Sequence, residues 1–336
     1  MKRLIEAIER GRFAVFGRAG MDLFAAPQGV KAENAETFLA DLGGSSANIC
    51  VGLRKLGMHS ALVTSVSDDT IGRFCTNRLR HYGVDTQYVK VIGGEYRVSL
   101  AVYESTMDDF QLCIYRNNAV DFQVKEEDVD RVNYGDFGAL ITAGTVFAAE
   151  PSRSSTFRAF ESARKAGLPV IFDLDYRPYS WPSAEVASEV LTRAGEQSDL
   201  IVGNDEEFGF MAGGIEKGLD KARELAADGK LVIYKMGQDG AITFAEGKEI
   251  RTGIYPVTAI KPNGAGDAFL AGLLAGIAMG RTLRDAVLRG SACASIVVSQ
   301  PGCAPAMPTT RQLEDFLADH PGPTETQGEV NAHSAL

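Results

Sequence analysis

Short apolar runs recur along the chain, from Phe13-Ala-Val-Phe16 through Ala139-Leu-Ile-Thr142 and Val170-Ile-Phe172 to Leu200-Ile-Val202 and Leu231-Val-Ile-Tyr234, and amphipathic helical stretches lie between them. This is the pattern of strands in a parallel sheet joined by crossover helices. Arg153 to Ala166 carries one such helical pattern and stops at Gly167, where the next strand is due. The expected body is therefore a doubly wound α/β fold, with helices packed on a central, mostly parallel sheet.

Two segments break that rhythm, residues 18 to 42 and residues 91 to 123. Within the second, Arg97 to Tyr103 and Gln111 to Arg116 alternate like antiparallel strands. Together they predict a small sheet inserted at one edge of the body, serving as a lid, a dimer surface or decoration. Arg116 and Asn117 follow its last strand and favour a lid. After about His320 the chain is rich in Pro, Gly, Thr and Glu, so residues 321–336 are expected to be a disordered tail on a single domain spanning 1–320. With 45% hydrophobic residues in 336, that domain has enough apolar material for a sizeable core.

Charge narrows the partners. The net charge of -10 is opposite to the footprint of a nucleic-acid binder and points to small molecules. No stretch has the apolar length of a membrane span, and Met1 to Arg10, with Glu6 and Glu9, lacks a signal-peptide core. Cys50, Cys75, Cys113, Cys293 and Cys303 include no C-x-x-C pair and read as buried apolar residues in a reducing compartment. A cytoplasmic protein is expected.

Gly264-Ala-Gly-Asp-Ala-Phe-Leu270 sets a carboxylate beside a small-residue turn that opens an apolar helix, expected from about Asp267 to Met279. Unobstructed N–H groups and the positive end of the helix dipole make such a turn an anion nest, and Asp267 reads either as a general base or as a helix cap. Four further features accompany it. Gly43 and Gly44 precede a helix whose first turn holds Asn48, an amide suited to a ligand hydroxyl, although a tight turn capped by Ser45 or Ser46 would read the same. Asp173-Leu-Asp-Tyr-Arg177 follows a strand, where ligands gather in parallel sheets; an internal Asp–Arg pair is the rival account. Asn204-Asp-Glu-Glu207 offers hard oxygen ligands suited to Mg²⁺ through water, or a solvated acidic helix start. Lys235-Met-Gly-Gln-Asp-Gly240 is a hairpin turn by itself and, beside the nest, a nucleotide-binding edge. The absence of G-x-x-x-x-G-K-[ST] and of a third glycine at Phe269 removes the P-loop and dinucleotide readings.

Together these residues resemble the ribokinase-like (PfkB) carbohydrate kinase family, over about Phe13 to Phe316. The resemblance implies a ribokinase-like α/β/α sandwich with a small β-sheet lid that often forms a homodimer contact. It implies ATP and Mg²⁺, with a monovalent cation as a further candidate. Asp267 would take the proton from a sugar hydroxyl, and the N–H groups of Gly264, Ala265 and Gly266 would hold the transferring phosphoryl group. Asp22, Gly43, Gly44 and Asn48 would bind sugar, Gly237 and Gly240 would lie on the ATP side with Lys235, and Asn204 and Glu207 match an N-x-x-E motif acting around Mg²⁺.

Lys261-Pro-Asn263 stands where the family usually has Asp-Thr-x. A lysine there, with Val66 to Phe74, Tyr115-Arg-Asn117 and Asp173 to Trp181, resembles the branch that acts on a keto-deoxy sugar acid in inositol catabolism. Lys261 could then contact phosphate beside Asn263, and Arg116 and Arg177 could grip the substrate carboxylate, unless either is a structural ion-pair member. Outside catalysis, the same fold could serve as a sugar-binding regulatory module, which has no need of a base.

Overall fold

Each apolar run forms a strand whose residues divide between two cores. Phe13, Val15, Ile141, Ile171, Leu200, Val202 and Ile233 belong to one, and Ala14, Phe16, Leu140, Phe172, Ile201 and Val232 to the other. Successive side chains point to opposite faces, so a strand covered on both sides reads as a continuous apolar run. Helices Ser45–Lys55, Ala265–Ala278 and Leu283–Val298 fill the first core, and Ser152–Lys165, Ala184–Glu196, Asp205–Ala212 and Gly218–Ala227 fill the second. Phe13, Phe16, Phe160 and Phe172 are fully buried, each contributing about 1.5–3 kcal/mol.

The computed structural model describes residues 1–104, 111–320 and 322–324. Its strands are β1 (Arg12–Phe16), β2 (Gly20–Ala26), β3 (Thr37–Gly43), β4 (His59–Ser67), β5 (Val89–Ile92), β6 (Leu100–Tyr103), β7 (Leu112–Tyr115), β8 (Ala139–Ala143), β9 (Val170–Asp173), β10 (Leu200–Asn204), β11 (Leu231–Lys235), β12 (Ala241–Ala245) and β13 (Lys248–Thr252). The main sheet runs β13-β12-β11-β10-β9-β8-β1-β4-β5, parallel except at β12 and β13. The strand order reverses between β1 and β8, so loops leaving the carboxyl ends there diverge and open a crevice. β4 lies inside the sheet but escapes the apolar pattern, because Ser60, Thr64, Ser65 and Ser67 are buried within it.

The two irregular segments form one small sheet, β3-β2-β6-β7, with β2 and β6 parallel and both outer pairs antiparallel. On the two inner strands burial alternates over part of their length: Asp22, Phe24, Ala101 and Tyr103 are buried, while Met21, Leu23, Leu100 and Val102 between them are only partly covered. Residues 105–110 of the expected lid segment lie outside the described residues, as do 321 and 325–336 of the expected tail. Thr324, within that tail, donates to Ile254 O at 2.7 Å and accepts from its N at 3.0 Å. Cys50, Cys75, Cys293 and Cys303 are buried as expected, but Cys113 is exposed, because it sits on the outer strand of the small sheet. Among the described residues, no helix is long and apolar enough to cross a membrane.

Candidate active site

Strand ends and the inner face of the small sheet enclose a cavity of about 580 Å³. Arg18 lines it just beyond β1, Thr145 beyond β8, Asp173 and Asp175 at β9, Asn204 at β10, and Lys235 at β11, with Tyr103, Leu112 and Ile114 contributed by the small sheet. Gly44, Asn48, Arg116, Arg177, Glu207, Gly237, Gly240 and Asn263 to Asp267 complete the residues that the sequence singles out. Asp22, Gly43 and Lys261 do not line this cavity.

The helix carrying Asp267 starts two residues earlier than its pattern suggests, at Ala265. Gly264 adopts φ 82°, a left-handed conformation that L side chains resist, and this lets the chain turn straight into the helix. Its first N–H groups have no partner within the helix and face the cavity wall with the positive dipole end behind them. Lys235 adds a cation, its Nζ 3.4 Å from where a Cβ on Gly266 would stand.

Asp267 is not a cap: Gly264 holds that position, and no side-chain capping bond is made there. Asn48 Nδ2 instead donates to Asp267 Oδ2 at 2.9 Å, fixing the carboxylate from the neighbouring helix on the same face of the sheet. Burial, with the charge of Asp175 added, pushes Asp267 up to about 7, against the pull of Asn48, Arg177 and Lys235. A carboxyl titrating near neutrality can take up a proton and release it again at working pH.

Asp22 lies beneath, 1% exposed, and neither of its carboxylate oxygens has a hydrogen-bond partner among the described residues. Burial raises it too, to about 7, with Arg18 opposing and Asp267 reinforcing the shift. A Cβ on Gly43 would stand 1.9 Å from Asp22 Oδ1, so the glycine serves the approach of the chain to its own carboxylate. Asn48 Oδ1 is likewise unpartnered. Buried acceptors without donors are costly, and ligand hydroxyls are groups that would satisfy them. Ser45 and Ser46 do not cap the helix that follows; Gly44 occupies the cap position.

The acidic helix start is a capping box. Asn204 Oδ1 accepts from Glu207 N, and Glu207 Oε2 accepts from Asn204 N, both at 2.8 Å. That leaves Glu207 Oε1, 3.8 Å from Arg177, as the carboxylate oxygen of this pair not committed to the cap. Among the described residues no group of three or more His, Cys, Asp and Glu is arranged to hold a metal ion. One carboxylate oxygen outside the cap, itself in reach of Arg177, suits Mg²⁺ brought in on a polyphosphate with most of its waters, and does not suit a cage made by protein alone.

The basic residues divide sharply. Arg116 Nη2 donates to Asp121 Oδ2 at 2.6 Å and to Thr145 O at 3.2 Å, and its guanidinium lies 4.1 Å from the centre of the Phe122 ring. Arg177 pairs with Asp175 at 2.7 Å. Lys261 is buried behind the nest, donating to the carbonyls of Asn263 at 2.8 Å and Val297 at 2.9 Å. No motif singles out Arg18, because no local pattern marks an arginine that the fold turns inward at the switch point.

The model of the pfkB family carbohydrate kinases matches residues 11–310. The chain is 36% identical over 314 residues to a 5-dehydro-2-deoxygluconokinase of Geobacillus kaustophilus, covering 92% of this chain and 94% of the relative. A 5-dehydro-2-deoxygluconokinase of Photobacterium profundum is also 36% identical, over 90% and 93% of the two chains. Among solved structures, a double-mutant fructokinase of Vibrio cholerae with fructose, ADP and potassium ion bound superposes with a TM-score of 0.79 at 27% identity, covering 91% of this chain and 98% of that one.

Proposed function

Since the chain belongs to the pfkB family of carbohydrate kinases, phosphotransferases acting on a sugar hydroxyl, we propose that it transfers the γ-phosphoryl group of ATP to the terminal 6-hydroxyl of 5-dehydro-2-deoxy-D-gluconate. The observation that carries this reading is Asp267: half-buried at the mouth of an anion nest, held by Asn48, and lifted to about 7. The substrate class rests on the name shared by relatives at 36% identity and on the cations around the cavity.

In this reaction the hydroxyl gives its proton to Asp267 as its oxygen forms a bond to the γ-phosphorus. The bond from that phosphorus to the bridging oxygen breaks, and ADP leaves with the electron pair. The N–H groups of Gly264, Ala265 and Gly266, with Lys235, offset charge on the transferring group, and positioning supplies much of the acceleration. Asp22, Gly43, Gly44 and Asn48 form the sugar side, and Gly237, Gly240 and Asn263 the nucleotide side. Glu207 and Asn204 would hold Mg²⁺ through water, and the ion would neutralise phosphate charge.

Lys261 already donates to two main-chain carbonyls behind the nest. Carbonyl oxygens are also what a monovalent cation seeks, so in this reading the lysine takes the part of such an ion. The outer face of the small sheet carries Phe38, Leu23, Leu100, Val102 and Tyr115, of which Phe38 and Tyr115 are exposed. That apolar face is the surface through which a homodimer would form. The setting is cytoplasmic, in inositol catabolism.

A coupled ADP-release assay tests the reading against 5-dehydro-2-deoxygluconate, 2-dehydro-3-deoxygluconate, fructose and ribose. The first should give the highest kcat/KM. A higher value for another sugar reassigns the substrate, and silence across the panel makes the chain a binding module.

A further inference from the structure

Three guanidinium groups line the cavity, and two are already neutralised. Arg116 is held by Asp121 at 2.6 Å, a carboxylate itself buried, and Arg177 is held by Asp175 at 2.7 Å. The third, Arg18, is 8% exposed and has no carboxylate within 4.0 Å among the described residues. Its Nη1 donates to Ser99 Oγ at 2.8 Å, and its Nε has no partner.

A buried cation without a counter-ion is costly unless something pairs with it. The longer-range charges of Asp121, Asp22 and Asp175 keep Arg18 protonated against the opposing effect of burial. They do not fill its hydrogen-bonding edge. Ser99 fixes one end of the fork, and the other is left for a planar acceptor, the geometry in which guanidinium grips a carboxylate. Asp22, with both oxygens unpartnered, lies within electrostatic reach of it. Asp22 lies behind the cavity wall, so the free edge of Arg18 is what the cavity presents to the carboxylate end of a sugar acid.

Resting on the reading of the chain as an acid-sugar kinase, we propose that Arg18 is the residue that binds the substrate carboxylate and so selects sugar acids over neutral sugars. Arg116 and Arg177 shape the wall as halves of internal ion pairs.

Calorimetric titration of the protein without nucleotide, using D-gluconate and its neutral counterpart D-glucitol, tests this assignment. Wild type should bind gluconate at least tenfold more tightly than glucitol. R18M should weaken gluconate by roughly 10- to 100-fold, as loss of a charge-assisted hydrogen bond implies, while moving glucitol less than twofold. R18K should retain much of the preference, because the charge remains and only the fork is lost. Should R18M fail to fold, as checked by circular dichroism, the neutral and polar R18Q undergoes the same titrations. An equal loss for both ligands, an unchanged gluconate affinity, or a wild type with no preference for gluconate would overturn the assignment. The ADP-release panel reports separately on the kinase reading. A neutral sugar as best substrate would overturn that reading even where Arg18 binds gluconate, and a sugar acid as best substrate with an unchanged R18M preference would overturn Arg18 alone.

Discussion

Asp267→Asn separates the two properties that the structure combines in one carboxylate. Asparagine keeps the shape and retains an oxygen to accept from Asn48 Nδ2, now 2.9 Å from Asp267 Oδ2, so the nest should survive. Turnover should fall at least ~10²-fold, the scale of a general-base contribution. Stability should move the other way. Burial first, and then the charge of Asp175, lift the carboxyl from 3.8 to about 7. At ~1.4 kcal/mol for each unit, this disfavours the ionised native form by on the order of 4 kcal/mol. Between those two values the native protein keeps a proton that the unfolded chain has released. Stability therefore declines as pH rises from about 4 to about 7 and stays low above it. The substituted amide has no such proton, so the variant should match wild type near pH 4 and exceed it by a few kcal/mol at pH 8. Asp22 acts in the same direction, since the charge of Asp267 raises it and removing that charge eases its ionisation. Urea denaturation of both proteins at pH 5 and pH 8, beside steady-state kinetics, measures both arms. A stability gap that fails to widen with pH, or near-normal turnover by the folded variant, would refute the argument.

Three further outcomes follow from the same geometry. Arg116→Ala leaves the buried Asp121 without its counter-ion, and urea denaturation should show a loss of about 3–5 kcal/mol; a loss below about 1 kcal/mol would mean that the pair is not structural. Lys261→Met removes two charge-assisted bonds to Asn263 and Val297 carbonyls. Its kcat should drop about tenfold, on the scale of ~1.5 kcal/mol for one such bond, and titration with KCl should restore part of the loss in the variant while leaving wild type unaffected. Phe38→Asp places a charge on the apolar outer face of the small sheet, and sedimentation should show the mass falling to that of one chain.

The parallel sheet was legible because its signal is local. Runs such as Val170 to Phe172 are apolar throughout only because both of their faces are covered, and that can be read within a few residues. The same holds for the small-residue turn that opens a helix at Gly264, written in adjacent residues, whereas the capping box between Asn204 and Glu207 came only with the structure. Motifs at strand ends therefore converge on one rim by the rule of the fold. β4 was hidden for the converse reason: Ser60, Thr64, Ser65 and Ser67 interrupt its apolar pattern, and their burial is decided by the elements packed over them.

Partnership was decided only in three dimensions. Asn48 and Asp267 stand 219 residues apart in sequence, yet their hydrogen bond fixes the carboxylate in place and leaves the cap position to Gly264. Arg116 and Arg177 stand out by their places in the sequence and Arg18 does not, yet nothing in their neighbourhoods shows which of the three is paired. The fold brings Asp121 and Asp175 against the first two and leaves the third facing the cavity with Ser99 alone. Lys261 likewise reads as a phosphate contact in sequence and is turned onto two carbonyls in the folded chain. The sequence by itself determined the sheet and the anion nest, because periodicity and turn geometry are properties of neighbouring residues, and its motifs carried the family resemblance that implied the class of chemistry. The tertiary structure decided which charges remain free, because that depends on which distant side chain arrives first and displaces water.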